Sequence, residues 1–538
     1  MIDLIIKNAF IVDGTGNKGY KGDVAITEGK IVGTGNLEDK YSQAKRVDDA
    51  CGMVLSPGFI DVHGHTDMFI FDDPGCGAKL KQGITTEICG QCGFTLFPVS
   101  DEHWEAYKSY YEKMGSKIYE SYREFTTADA YLTRVDKLDT GINLGLFVGQ
   151  GAIRMAAMGL SAQKPNSVQL EKMKELTEEA MDSGAFGLSS GLMYAPGSFS
   201  NQEEIEELCK KVGEQDGMYS SHLRNQGDRL VECVEKTILI GAKTGTPVNI
   251  SHHKAVGKSN WGKVKHTCAM IDAANEMGIK VTHDVYPYAA SSTTLTATLP
   301  PSCMEDETEQ LIENLRNKDY KQELKDRIFD PQEEWDNDIK GSGYESLLIV
   351  RARNTQEAVG KTISEYAAIQ GKKEFDTYVD LLIDNNLDIS DVCFSMDEKD
   401  VDYLIDHDKC MFATDSLYEE SMDMAHPRSI GTFPRILGEY VRKRRKLSLE
   451  KAIHKMTGYP AHVYGIKSKG KIQIGYDADL VLFDEKTIID QSYYFDPIKD
   501  NEGIKYVMVN GKIAVEDNEL KDISAGRVIR KNEVSAEE

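Results

Sequence analysis

Short apolar runs in this chain keep ending on a side chain that can hold a metal ion. That recurrence limits the folds open to it more than any other feature. In Gly58-Phe59-Ile60-Asp61-Val62-His63-Gly64-His65 the run ends in two histidines spaced i, i+2. Residues two apart on a strand point to one face, so both imidazoles can reach one ion. Cys92, His222, His252 and Asp415 follow further apolar runs in the same way. Amphipathic helical stretches (Ser167 to Ser183, Glu203 to Gln215, Gly262 to Met277) separate several of these runs. Strand and helix in alternation imply a parallel sheet, and enough such units close into a barrel. Barrel chemistry sits where strands end and the following loops begin, which is where these side chains fall.

The candidate ligands are not equivalent. Cys92 belongs to Cys89-Gly90-Gln91-Cys92, but the chain has no second CxxC to complete a structural zinc site. That leaves a single thiolate as the candidate. His252 and His253 are neighbours, so on a strand they face opposite sides and only one enters the site; the other serves packing or a supporting hydrogen bond. Imidazole and thiolate together favour zinc, without fixing the metal.

The two ends of the chain differ from the middle. Leu4-Ile5-Ile6, Ala9 to Val12, Val24-Ala25-Ile26 and Lys30-Ile31-Val32 read as short strands, as do Gly470-Lys471-Ile472, Ala478 to Phe483, Tyr506 to Val509 and Lys512 to Val515, with Asn510-Gly511 as a hairpin turn. The expectation is an α/β protein: a (β/α)8-type barrel over residues 56–466, a small β-sandwich domain formed by residues 1–55 and 467–538, and a charged, mostly helical insertion at about 300–340. The insertion is either a surface excursion or a pocket wall. The last dozen residues read as a free tail.

Composition excludes several classes of function. A net charge of −25 over 538 residues disfavours a nucleic-acid or anionic-membrane surface. No window supplies the roughly 18 uninterrupted apolar residues of a membrane helix. The start of the chain lacks a signal-peptide pattern, and its ten cysteines form no disulfide framework, so a cytoplasmic protein is expected.

Further segments carry a resemblance. These are Pro57 to His65; Gln82-Gly83-Ile84-Thr85-Thr86 running on to Cys92-Gly93; Gly184 to Gly197; Ile250 to Lys254; Tyr286-Pro287-Tyr288; His426-Pro427-Arg428; and Gly475 to Val481. In this order, over nearly the whole length, they resemble the N-acyl-D-amino-acid deacylases (D-aminoacylases) of the amidohydrolase superfamily. The resemblance implies that His63 and His65 bind one metal position, and His222 and His252 the other. Cys92 then stands where many amidohydrolases place a carboxylated lysine, and Asp415 is both ligand and proton shuttle. It implies one tightly held zinc ion with a second possible, and small N-acyl-amino-acid substrates. Two departures stand out: Gln150 replaces a histidine in Val148-Gly149-Gln150-Gly151, and Ser221 replaces a threonine.

An amide hydrolase needs a nucleophile, charge stabilisation and a grip on the substrate. Asp415 can move a proton, Tyr194 or Tyr286 can offer a phenol to the oxyanion, and Arg428, Lys254 and Ser292 can hold the α-carboxylate. D-selectivity enters through the resemblance alone. The competing readings are a D-residue dipeptidase, a cyclic-amide hydrolase of the hydantoinase or dihydroorotase kind, and an inactive scaffold. Oligomeric state is not legible.

Overall fold

The computed structural model describes residues 1–114, 116–330, 335–417 and 424–532. Its centre is a set of parallel strands: β1 (Phe59–Asp61), β2 (Ile84–Cys89), β3 (Asn143–Leu146, continued by Val148–Gly149), β4 (Gly187–Gly191), β5 (Met218–His222), β6 (Val248–Ile250), β7 (Val281–Val285) and β8 (Cys410–Phe412). β1, β2 and the first part of β3 pair in parallel. The second part of β3 begins a six-stranded parallel sheet that runs in chain order to β8. Beyond β8, the Asp415 amide donates to the His63 carbonyl at 2.8 Å. The strands are buried on both faces, as parallel strands covered by helices must be. The helices Ser167–Asp182, Gln202–Gly213, Leu230–Thr244, Val264–Glu276 and Glu398–Asp406 precede β4 to β8 in turn, and Asn166 caps the first with a capping box.

Both chain ends enter one nine-stranded sheet. The joint is Val54–Pro57, which pairs antiparallel with Leu480–Phe483 and parallel with Ile2–Ile11. Asn510 and Gly511 both have positive φ, as a type I′ hairpin turn requires, between Ile504–Val509 and Lys512–Glu516. Gly470-Lys471-Ile472, expected as a strand, is irregular, because Gly470 has positive φ and lies against Thr457 and Ala461. The expected free tail is also wrong up to Asn532. Val528 bridges to Leu144, the Ile529 amide donates to the Leu144 carbonyl at 2.8 Å, and that of Lys531 to Gly184 at 2.9 Å. Residues 533–538 of that tail lie outside the described residues.

The excursion between β7 and β8 is larger than the expected 300–340. Three helices (Thr308–Arg316, Lys318–Phe329, Asp338–Ser342) lie beside an antiparallel sheet of Ser291–Thr294, Ile389–Cys393 and Leu347–Ala352. Leu315, Leu324 and Leu347 of these elements share a core with Leu295 and with Tyr378 and Leu382 of the helix Glu374–Asp384. Within the expected insertion, residues 331–334 lie outside the described residues. No described helix is long and apolar enough to cross a membrane.

Candidate metal centre

The strand ends bring six ligand-type side chains into one buried cluster. His63 and His65 lie just past β1, Cys92 three residues past β2, His222 at the last position of β5, His252 two past β6 and Asp415 three past β8. His63, His65, Cys92 and Asp415 each offer one ligand atom, and these lie within 4.8 Å of one another; so do those of Cys92, His222 and His252. Cys92 is the shared member. Its sulfur is 3.3 Å from His63 Nε2, 3.5 Å from His222 Nδ1 and 3.5 Å from His252 Nε2. The two imidazole nitrogens of His222 and His252 approach to 2.8 Å. Asp415 Oδ1 is 3.3 Å from His65 Nε2 and 3.5 Å from His63 Nε2.

The backbone bends sharply to make this possible. Cys92, His252 and Asp415 all have positive φ, which costs a side-chain-bearing residue free energy and clusters at functional sites. Gly93 allows the Cys92 turn, since a Cβ there would lie 2.8 Å from the Gly191 nitrogen. A buried ion network braces the two segments. Lys79 Nζ bonds Asp61 Oδ2 at 2.8 Å, Glu87 Oε2 at 3.0 Å and Thr414 Oγ1 at 2.7 Å. Glu87 also accepts from the Thr66 amide and hydroxyl, so residues on either side of His65 and Asp415 are tied to one ammonium.

Electrostatics tune the cluster. Burial alone would raise the Cys92 thiol, but His63, His252 and His222 outweigh it and hold the pKa well below the ordinary value. Burial would also raise Asp415; Arg428 and then His252 hold it well below the usual carboxylate range. Burial and Lys254 push His252 down to about 3, which keeps it a neutral imidazole. Burial likewise takes Lys254 down to about 8.

The residues expected to grip a substrate divide in the structure. Arg428 Nη1 is 2.9 Å from Asp415 Oδ2, and its guanidinium lies 4.6 Å from the Tyr286 ring centroid. Its Nε has no hydrogen-bond acceptor among the described residues, and Nη1, ion-paired with Asp415, carries a second N–H, so the guanidinium can still meet a substrate carboxylate. Lys254 Nζ bonds His252 Nδ1 at 2.7 Å and Gln226 Oε1 at 2.9 Å, which makes it a support for a cluster histidine as well as a cation. Tyr194 stacks edge-on to His222 at 4.9 Å, and its hydroxyl pairs with Thr293 Oγ1 at 3.1 Å. Tyr286 presents its ring face to both cations, while its hydroxyl lies 3.9 Å from the Met396 sulfur. The Ser292 hydroxyl is spent on the Asp391 carbonyl at 2.7 Å; it is the Ser292 carbonyl that accepts from Arg428, at 3.2 Å.

Sequence reasoning missed three residues. Gln226 joins His222 Nε2 at 3.0 Å to Lys254, and Asp336 accepts from the Gln226 amide at 2.6 Å. Asp284 accepts from the His252 amide at 2.8 Å and lies 3.5 Å from His63 Nδ1. Gln226 lies four residues after a candidate ligand, and Asp284 lies in a strand-like stretch that follows a helix, so both had a signal; Asp336 had none. Gln150 lies outside the cluster: its amide donates to Ser200 Oγ at 2.7 Å and Glu204 Oε1 at 2.9 Å. Cys89 turns from Cys92 towards Glu87 Oε1, at 3.2 Å, so the CxxC is not a unit. His253 faces away from the cluster.

The cluster opens into a cleft of about 570 Å³, its mouth included, lined by Phe94, Met114, Met193, Tyr286, Asp336 and Arg428 among others. Asp336 and Asp338 come from the excursion, which therefore forms part of the wall.

The chain is 31% identical to an N-acyl-D-glutamate deacylase of Alcaligenes xylosoxydans xylosoxydans over 99% of its own length and 97% of that protein. It belongs to the N-acyl-D-amino-acid deacylase family. The amidohydrolase family model matches residues 381–514. Among solved structures, N-acyl-D-glutamate deacylase from Bordetella bronchiseptica, complexed with zinc and a phosphonate mimic of the tetrahedral intermediate, superimposes with a TM-score of 0.82 at 31% identity, covering 98% of this chain and 99% of that one. A D-aminoacylase whose binuclear metal centre has been studied for one-metal activation and second-metal attenuation gives 0.82 at 31%, covering 98% and 100%. The amidohydrolase-type α/β fold expected of the sequence is therefore the fold of this family.

Proposed function

We propose that this protein is a zinc-dependent hydrolase that cleaves N-acyl-D-amino acids to a carboxylate and a free D-amino acid. The observation that carries the reading is the Cys92-centred cluster set beside a buried arginine whose Nε is unpaired, in a chain that matches deacylases over almost its full length. The donor set fits zinc: one thiolate and two neutral imidazoles at the tighter position, two imidazoles and a carboxylate beside them. Zinc held there supplies a Lewis acid that acidifies water and polarises the amide carbonyl.

The chain's own residues do the rest. Asp415 accepts the proton of the attacking water at its carboxylate and delivers it to the departing nitrogen. The Arg428 guanidinium captures the substrate α-carboxylate through its free Nε and the Nη1 hydrogen not turned to Asp415, with Lys254 adding charge and the Tyr286 ring fixing both cations. Tyr194 is the better placed phenol for the oxyanion, because the Tyr286 hydroxyl points to Met396. Gln226 and Asp336 orient His222. Met114, Met193 and Phe94 keep the reacting end dry.

We read β1 to β8 as one closed (β/α)8-type barrel over residues 56–466, supported by the Asp415 to His63 hydrogen bond across the β8–β1 seam. We read residues 1–55 and the described part of 467–538 as the second unit, a β-sandwich. In it Ile6, Ile11, Val24, Leu55, Leu480 and Met508 share one core. Ten free cysteines support a reducing, cytoplasmic setting. The test is a panel of N-acetyl-D- and N-acetyl-L-amino acids, scored for amine release by chelator-stripped protein before and after zinc is restored. The proposal expects zinc-dependent release from D-substrates; equal turnover of L-substrates, or turnover indifferent to zinc, refutes it.

A further inference from the structure

A second group of metal-ligand side chains lies behind the first, between the sheet and the helix Val264–Glu276. A ring nitrogen of His253, a ring nitrogen of His283 and the Cys268 sulfur lie within 4.8 Å of one another. His253 is 1% exposed, and Cys268 and His283 are fully buried. None belongs to the Cys92 cluster. His252 turns inward from the end of β6, and His253, its neighbour, turns out towards the helix.

The two rings have matched, half-satisfied surroundings. His253 Nε2 pairs with Thr267 Oγ1 at 2.8 Å, and His283 Nε2 with His407 Nδ1 at 2.8 Å. Nδ1 of each ring is buried with no hydrogen-bond partner among the described residues. Leaving a buried polar atom unpaired costs about 1–3 kcal/mol, so an orphaned nitrogen on each of the two rings that gather with Cys268 needs an explanation. Water would need several polar partners of its own. A cation accepting both lone pairs and the sulfur satisfies all three groups at once. The supporting contacts are of the kind that orient metal ligands: Thr267 behind His253, and a chain from His283 through His407 to Asp272 Oδ1, 3.1 Å from His407 Nε2. The nearby Lys455 ammonium is directed to the carbonyls of Ile405, at 2.7 Å, and His407, at 2.5 Å.

We propose that His253, Cys268 and His283 form a second, non-catalytic site for a borderline-soft divalent cation of the zinc class. One thiolate and two imidazoles match that class, and tetrahedral zinc places such ligands roughly 3.3–3.6 Å apart, so the group closes by about 1.5 Å at most. Binding displaces the Cys268 thiol proton to solvent, and the sulfur takes the metal in its place. The ion cross-links β6, β7 and the helix Val264–Glu276 directly behind His252. It is a strut for the backbone that presents a candidate ligand of the first cluster.

Cobalt(II) is the probe, because a cobalt–thiolate bond gives an intense near-ultraviolet charge-transfer band. Chelator-stripped Cys92→Ala protein, which lacks the thiolate of the first cluster, is titrated with Co²⁺. The site predicts a saturable thiolate band that is lost in the Cys92→Ala/Cys268→Ala double variant. No band with Cys92→Ala, or a band that persists in the double variant, overturns it. Zinc-edge anomalous scattering from crystals of the unaltered protein tests the same claim without relying on the folding of either variant. A peak among His253, Cys268 and His283 supports the site, and its absence at saturating zinc refutes it.

Discussion

Replacing Arg428 with methionine removes a buried cation while keeping most of the side-chain volume. Arg428 is 2% exposed, its guanidinium is stacked on Tyr286, its Nε is free of hydrogen-bond acceptors and its Nη1 is paired with Asp415. Two bonds from a charged donor to the substrate carboxylate, at about 1.5–3 kcal/mol each, put the loss at about 3 kcal/mol at the low end, or ~100-fold in kcat/KM. Most of that loss appears in KM, since the carboxylate is bound equally in the ground state and the transition state. The assay compares N-acetyl-D-methionine with N-acetyl-D-methioninamide, which lacks the negative charge. The unaltered protein prefers the acid strongly, and Arg428→Met erases that preference; the amide loses only the part owed to Asp415, which Arg428 pairs with and holds ionised. A fall of less than about fivefold, or an equal fall on both substrates, refutes the assignment of Arg428 to the carboxylate.

Asp415→Asn keeps the shape but removes the proton acceptor, and kcat falls by about 10²–10⁴-fold with the fold intact by circular dichroism; near-native kcat contradicts the shuttle. Lys79→Met leaves Asp61 and Glu87 buried without their common counter-ion and lowers unfolding stability by about 3–5 kcal/mol in urea titrations; a loss below about 1 kcal/mol shows that the network does not brace the site. Asp477 has a pKa well below its ordinary 3.8, because Lys469 and Lys30 outweigh the burial that would raise it. Its contribution is therefore complete above the unfolded value and is lost as pH falls through the lower folded value. Melting temperature falls below about pH 4, and Asp477→Asn shows a shallower decline; identical slopes contradict the linkage.

How much of the site was legible depended on where its atoms came from. The convergence of His63, His65, Cys92, His222, His252 and Asp415 was readable because each residue type is distinctive and each follows a run whose geometry is simple. The alternation that sends His252 inward and His253 outward was readable for the same reason. Asp336 was not: it reaches Gln226 from an excursion 110 residues away, and no periodic pattern marks an isolated aspartate. Which atom of Ser292 faces Arg428 was not legible: the residue lines the cleft, but it is the carbonyl that meets the guanidinium while the hydroxyl bonds the Asp391 carbonyl. The joining of both ends in one sheet followed from strand texture and turn chemistry. The length of the excursion did not, because its strands Leu347–Ala352 and Ile389–Cys393 look like any buried strand until their partners are known.

A zinc-edge anomalous map of crystals grown with zinc tests the central claim most directly. The account predicts its strongest peak beside Cys92 Sγ, His222 Nδ1 and His252 Nε2, at about 2.0–2.3 Å from each. Zinc bound elsewhere on the chain while that cluster stays metal-free would contradict it.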